Sequence, residues 1–237
     1  MNTILKNYQR KAIDDLCEIF MDAQDEKHFK VIFKSPTGSG KTLMVTEFLK
    51  NIFLDNYNVS VIWAAPRHLH LQSKDKIKPV LKERNLGKTL EVHQLKDLKL
   101  KKNEILFLNW ESINKKNNTF MKSNEKGINL KNLVENTKKF STKIILVIDE
   151  CHFSAPSSIS GYLINMINPE FTLALSATPS MRDPDDIVKV KIEDVKKEGM
   201  IKKNIIPNEM FIKKGGELYK KLREGSNYFF LDESIKQ

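Results

Sequence analysis

An α/β fold, with a mostly parallel sheet covered by helices on both faces, is what this sequence predicts. Three observations predict it. Short apolar runs of strand length recur at residues 31–33, 59–65, 105–108, 144–148 and 171–175. Stretches with apolar residues at helical spacing lie between several of these runs. Polar groups suited to chemistry stand directly after the runs, at the strand ends where open parallel sheets bind ligands. The 237 residues suffice for one large domain or two small ones, and a hydrophobic content of 40% allows a sizeable core.

The first helical stretch covers residues 4–20, where Leu5, Tyr8, Ala12, Ile13, Leu16, Ile19 and Phe20 recur at helical periods. It carries Tyr8-Gln9, about 30 residues ahead of the most informative segment, Ser35-Pro36-Thr37-Gly38-Ser39-Gly40-Lys41-Thr42. That segment follows the apolar run Val31-Ile32-Phe33 and precedes a helix marked by Met44, Val45, Phe48, Leu49, Ile52 and Phe53. Strand, glycine-rich turn and a helix opening on Lys-Thr form the context of a phosphate-binding loop. Gly38 and Gly40 allow φ > 0 and close approach of the backbone. The helix N-terminus then favours an anion, Lys41 reaches the β/γ-phosphates, and the Thr42 hydroxyl can hold Mg²⁺. Ser35 stands where the usual pattern begins with glycine.

The run at 59–65 ends at Pro66 and is followed by Arg67-His68-Leu69-His70-Leu71-Gln72, the start of a helix with Ile77, Val80 and Leu81 on its apolar side. Arg67 therefore occupies a strand's C-terminal end, a place for a nucleic-acid phosphate. His68 and His70, two residues apart, point to different sides of a helix and do not form a metal pair. Trp110, after the run at 105–108, reads as a packing anchor. Residues 113–142 are polar and rich in Lys and Asn, an exposed insertion with one short helix near 130–134. The strongest apolar run, 144–148, leads into Asp149-Glu150-Cys151-His152. An aspartate at that position suits Mg²⁺, and the glutamate suits the orientation or deprotonation of an attacking water. A helical face at 159–167 and the strand at 171–175 follow, ending in Ser176-Ala177-Thr178-Pro179. Val188, Val190 and Ile192 alternate as in an edge strand, and residues 193–200 form a short helix ending at Gly199. In the tail, residues 217–223 are helical. Asp185 with Asp194-Val195-Lys196 has the outline of a nuclease motif, but such a pattern arises readily in so Lys-rich a chain.

The formal net charge of +10 suits a polyanionic partner, although Lys abundance throughout the chain accounts for it equally well. No apolar run approaches the ~18 residues of a membrane helix. The N-terminal residues lack the apolar core of a secretory leader, and the two cysteines, Cys17 and Cys151, show no metal spacing. A cytoplasmic protein is expected.

Taken in order, Tyr8-Gln9, SPTGSGKT, APRHLHLQ, DECH and SATP resemble the early motifs of superfamily 2 helicases, in their first RecA-like, ATP-binding domain. The resemblance covers about residues 5–206, and Ser35 in place of glycine is common in that superfamily. FLNWESIN and KVKIEDVKKEGMIKK are similar to segments of the restriction (Res) subunit of type III restriction-modification enzymes. The resemblance implies a RecA-like P-loop NTPase fold over residues 1–206 and the truncated start of a following region at 207–237. It implies an ATP- and Mg²⁺-dependent DNA helicase or translocase. Residues Pro36 to Thr42 would bind ATP, with Gln9 on adenine. Thr42 and Asp149 would share Mg²⁺, while Lys41, Asp149 and Glu150 carry catalysis. His152, Ser176 and Thr178 would couple hydrolysis to nucleic acid, and Arg67 would touch its backbone. A methyltransferase subunit that uses S-adenosylmethionine would be the partner. About 60 residues follow Thr178, too few for a typical second motor domain with its arginine finger, and no C-terminal nuclease motif is found. The chain alone is therefore expected to bind ATP and turn it over slowly. An RNA helicase fragment and a non-catalytic nucleic-acid-binding fragment are the alternative readings.

Overall fold

The computed structural model describes residues 4–95, 97–110, 129–140, 142–150, 159–179, 181 and 183–201. Seven parallel strands form one sheet in the order β3-β4-β2-β5-β6-β1-β7. The strands are β1 (Phe29–Lys34), β2 (Val59–Ala65), β3 (Lys88–Leu90), β4 (Glu104–Asn109), β5 (Lys143–Asp149), β6 (Phe171–Ser176) and β7 (Asp186–Lys189). The helices are α1 (Asn7–Asp22), α2 (Lys41–Leu54), α3 (Leu69–Glu83), α4 (Leu130–Lys139), α5 (Ile159–Ile167) and α6 (Ile192–Lys197).

Central strands read as unbroken apolar runs because both faces are covered. Their period of two divides each strand between two cores. Val61, Trp63 and Ala65 of β2 lie in one core with Ile145 and Val147 of β5, Leu173 and Leu175 of β6, and the apolar faces of α1, α2 and α3. Ile62, Ala64, Ile144, Leu146, Ile148 and Ala174 face the other way, against Leu130, Leu133 and Val134 of α4 and Ile167 of α5. Trp110 is buried in this second core, as an anchor should be. The expected helix near 130–134 extends to Lys139, started by the Asn129 side chain, which accepts the Asn132 N–H at 2.9 Å.

Two strands differ from the sequence reading. Short β3 leaves no mark in the sequence: with three residues, none fully buried, it carries no apolar run. The alternating segment near 188–192 forms its strand two residues earlier. Val188 and Val190 are buried as expected, but Ile192 is exposed and opens α6. Asp185, one member of the nuclease-like outline, ties down the start of this edge. Its carboxylate accepts the Lys30 N–H at 2.7 Å and its own N–H donates to the Lys30 carbonyl at 2.8 Å. The expected tail at 207–237, including its helix, lies outside the described residues.

Phe171, at the start of β6, joins both layers of the first core. Its ring stands edge-on to Phe20 of α1 at 5.1 Å and stacks on Phe29 of β1 at 6.1 Å, with Phe48 of α2 tilted against it at 6.4 Å. Such pairs add to the value of buried area. Phe171→Ala is expected to cost about 3–5 kcal/mol, the range for a large aromatic truncated in a packed core. Urea unfolding, read as a fall in midpoint at unchanged slope, measures it.

Candidate active site

The strand order decides which loops meet. β6 lies between β1 and β5, so the loop after β1 and the residues closing β5 flank the end of β6. Lys34 and Ser176 are register partners, Asp149 and Leu175 are partners on the other side, and the Ser35 N–H donates to the Ser176 carbonyl at 3.1 Å. All of this lies at the C-terminal edge of a parallel sheet.

The loop itself is a turn closed by side chains. Gly38 and Gly40 both have left-handed φ, +81° and +89°. The Ser39 hydroxyl donates to the Pro36 carbonyl at 2.6 Å, so the Ser35 hydroxyl must donate the 2.5 Å bond between the two serine oxygens. The serine at position 35 is therefore structural, fully buried and bracing the loop from within. Ser39 is equally buried, so it offers a ligand backbone rather than hydroxyl, while Thr37 and Gly38 lie exposed at the tip.

Gln9 is not a solvated helix residue. It is 1% exposed; its side-chain oxygen accepts the Lys6 N–H at 2.9 Å, and its amide nitrogen donates to the Ser39 carbonyl at 3.0 Å. The Tyr8 hydroxyl donates to that same carbonyl at 2.8 Å. These bonds fix which end of the amide is nitrogen. They also show Tyr8 as a strap on the loop, a function that the sequence signals only by its place beside Gln9. Glycine is required at 40 by φ, and a Cβ there would lie 2.8 Å from the Gln9 amide nitrogen, so that amide would have to shift off its place on the loop.

Lys41, the first residue of α2, is 9% exposed. Its ammonium donates to the Ser35 carbonyl at 3.4 Å and lies 3.9 Å from a Glu150 carboxylate oxygen. Glu150 adopts a left-handed φ of +53°, unusual for a side chain with a Cβ and a mark of strain at the strand end. Asp149 is buried, and one of its oxygens accepts the Ser73 hydroxyl of α3 at 3.3 Å. Burial foremost, then the Glu150 charge, push the Asp149 carboxyl up to about 6, against the pull of Lys41, the Ser73 hydroxyl and the Trp63 indole. Lys41, Asp149 and Glu150, three of the residues singled out from sequence, are thus brought together. Two hard oxygen groups, the Asp149 carboxylate and the half-buried Thr42 hydroxyl at the head of α2, suit Mg²⁺ by donor type. A buried and a half-buried carboxylate, partly balanced by one lysine, suit it by charge.

The remaining expectations divide. Ser176 is buried, and its hydroxyl accepts the Thr178 N–H at 3.0 Å, while Thr178 is exposed. Arg67 is exposed with a left-handed φ of +50°, beside an open cleft of about 280 Å³ lined by Pro66, Arg67, His68, Leu69 and Gln72. His70 turns its ring nitrogen to the Arg67 carbonyl at 2.8 Å. His152 lies outside the described residues. Ser73 gives no sign in the sequence of its contact with Asp149.

An all-parallel sheet with helices on both faces, and with a braced glycine-containing loop one strand away from an Asp-Glu pair, has the architecture of RecA-like helicase cores. The fold agrees with that of the Sulfolobus solfataricus SWI2/SNF2 ATPase core in complex with dsDNA. That match has a TM-score of 0.52 and 17% identity, and covers 76% of this chain and 33% of the other. It agrees also with a nuclease-deletion mutant of the Type ISP restriction-modification enzyme LlaGI bound to a DNA substrate mimic, with a TM-score of 0.54, 13% identity, and coverage of 84% and 21%. The chain thus spans about a third and a fifth of these proteins. No curated protein sequence is similar enough to count as a match. The family model for the type III restriction enzyme res subunit matches residues 2–181, and the chain belongs to that family.

The raised Asp149 value carries a stability consequence. Folding favours its protonated form, so the cost of burying the charge is absent below the ordinary carboxylate range and fully present above about pH 6. A shift from 3.8 to about 6 corresponds to roughly 3 kcal/mol. Asp149→Asn is therefore expected to raise the melting temperature by several degrees at pH 7.5, with the gain vanishing as pH falls through 6 towards 4. Thermal scans of both proteins across that range measure it.

Proposed function

We propose that this chain is the ATP-binding and hydrolysing motor domain of a DNA translocase of the type III restriction kind. The observation that carries the proposal is the meeting of Lys41, Asp149 and Glu150 beside the phosphate loop at one sheet edge. In this reading ATP lies along the loop from Pro36 to Thr42. Backbone N–H groups at Gly38, Gly40 and the head of α2 bind its phosphates, and Lys41 exchanges its weak contact with the Ser35 carbonyl for the β/γ-phosphate oxygens. Thr42 and Asp149 would hold Mg²⁺, which would neutralise charge on those phosphates. Glu150 orients the attacking water and takes its proton. Gln9, buried with its amide oxygen on the Lys6 N–H and its amide nitrogen on the Ser39 carbonyl, reads adenine only by giving up the Ser39 contact, so base recognition is coupled to the loop through that carbonyl.

Phosphoryl transfer depends on positioning and on charge stabilisation, and an arginine finger contributes about 10³–10⁵ in rate. A second RecA-like domain is proposed to supply it, and residues 1–206 to form the first. Arg67 and the cleft beside it receive the nucleic-acid backbone; His152, Ser176 and Thr178 link that contact to hydrolysis. DNA rather than RNA is supported by the restriction family of the chain and by the DNA in both structures of similar fold. By the same family, a methyltransferase subunit recognises the DNA site, and the protein works in the cytoplasm.

Lys41→Ala is expected to weaken ATP binding at least a hundredfold in calorimetry. Glu150→Gln is expected to keep ATP affinity within about threefold and to lose hydrolysis; unchanged ATP affinity in the lysine variant would overturn the proposal. Because Asp149 must be charged to hold the metal, Mg²⁺-dependent affinity should fall as pH drops below about 6. Anisotropy with duplex DNA, with and without a non-hydrolysable ATP analogue, separates a motor from a passive binder: only a motor changes its DNA affinity when nucleotide is added.

A further inference from the structure

Helix α3 connects two places that the proposed function treats separately. It begins two residues after the left-handed turn at Arg67, and its second turn carries Ser73. Ser73 is 5% exposed, and a serine inside a helix can return its hydroxyl to the carbonyl four residues back. Here the hydroxyl donates instead across 76 residues of chain to Asp149 Oδ2. The next residue, Lys74, is also buried and pairs with Glu91 beyond β3, so the helix is held at adjacent positions on both sides. From Arg67 to Ser73 the helix rise is only about 9 Å.

We infer that Ser73 is a positioning residue for the metal-binding carboxylate: its hydroxyl holds Asp149 Oδ2 and so turns the other carboxylate oxygen towards the cation. This deepens the nucleotide-site reading and rests on it. A carboxylate with neither oxygen tied rotates between equivalent poses, while one tied oxygen selects a single pose. The charge of Lys41 and the repulsion of Glu150 act on the whole carboxylate; Ser73 acts on one atom of it. At 3.3 Å the bond is longer than the ~2.7–2.8 Å favoured between oxygens. A few tenths of an ångström of movement of Ser73 towards Asp149 would therefore strengthen it. The same helix is the one whose first turn stands beside Arg67.

The test is a Mg²⁺ titration of the full chain with a fluorescent non-hydrolysable ATP analogue, comparing wild type with Ser73→Ala, Ser73→Thr and Asp149→Asn. Ser73→Ala should raise the Mg²⁺ concentration at half-effect about tenfold, the value of a hydrogen bond to a charged group, and leave affinity in EDTA unchanged. Ser73→Thr, which keeps the hydroxyl, should stay within about twofold of wild type, and Asp149→Asn should abolish the Mg²⁺ effect. If Ser73→Ala does not fold, Ser73→Cys replaces it, because its thiol is a poor donor of similar size. A wild-type Mg²⁺ midpoint in the alanine variant, while Asp149→Asn loses the effect, overturns the role of Ser73 and leaves the nucleotide site standing. Equal weakening with and without Mg²⁺ also overturns it, as a purely structural contact would give that result. A Mg²⁺ effect that survives Asp149→Asn overturns the metal assignment itself.

Discussion

Two carboxylates and one ammonium share the closed end of β5, and they are not neutral together. Lys41 faces Glu150 at 3.9 Å, while Asp149, deeper in the sheet edge, gains too little from it to offset burial. Leaving a buried charge partly compensated is costly, and proteins retain such an arrangement where a ligand completes it. A divalent cation with a polyphosphate has the charge distribution that would do so: under the proposed function, Asp149 would face the cation and the phosphates would draw Lys41 away from Glu150. The loop is correspondingly plain in its chemistry. It offers backbone and glycine, and its two serine hydroxyls are engaged with each other and with Pro36.

Everything that brings these groups together is topological. Residues 41 and 149 are far apart in the chain, yet a parallel sheet sends every strand's C-terminal end to one edge, and the order β5-β6-β1 leaves a single strand between them. The Ser35 to Ser176 hydrogen bond then fixes the height of the phosphate loop relative to β6. A slip of one residue in that register would turn every alternating side chain of β6 to the opposite core, so the two packed faces hold the loop in place. The Phe171 cluster, at the other end of the same strand, is what makes such a slip unfavourable.

How far the sequence reveals this depends on whether a signal is local. The phosphate loop, the strands β1, β2, β4, β5 and β6, and the helices over residues 7–22 and 41–54 all declare themselves within a dozen residues, through apolar runs, periods and glycines. What stays hidden involves partners distant in sequence or too small to leave a pattern. Strand β3 has three residues and no buried side chain; β7 shares its alternation with the helix that follows, so its frame shifts. Ser73 looks like any serine on a polar helix, because its partner is 76 residues away. Tyr8 stands next to Gln9 and is equally engaged with the loop, but its hydroxyl bond is invisible to periodicity.

The upstream helix and the phosphate loop also constrain one another. Gly40 is required by its φ of +89°, and any Cβ there would push the Gln9 amide, 2.8 Å away, from its place. Gln9 in turn is oriented by Lys6 and Ser39, and shares the Ser39 carbonyl with Tyr8. That carbonyl has two lone pairs, and both are used. Rotating the peptide after Ser39 to aim its neighbours at a phosphate therefore breaks two bonds to α1, so the loop cannot rearrange without the helix registering it. Base and phosphate ends of a nucleotide would thus be sensed by one mechanical unit. It ends at Lys41, whose next neighbour across the sheet edge is the carboxylate pair.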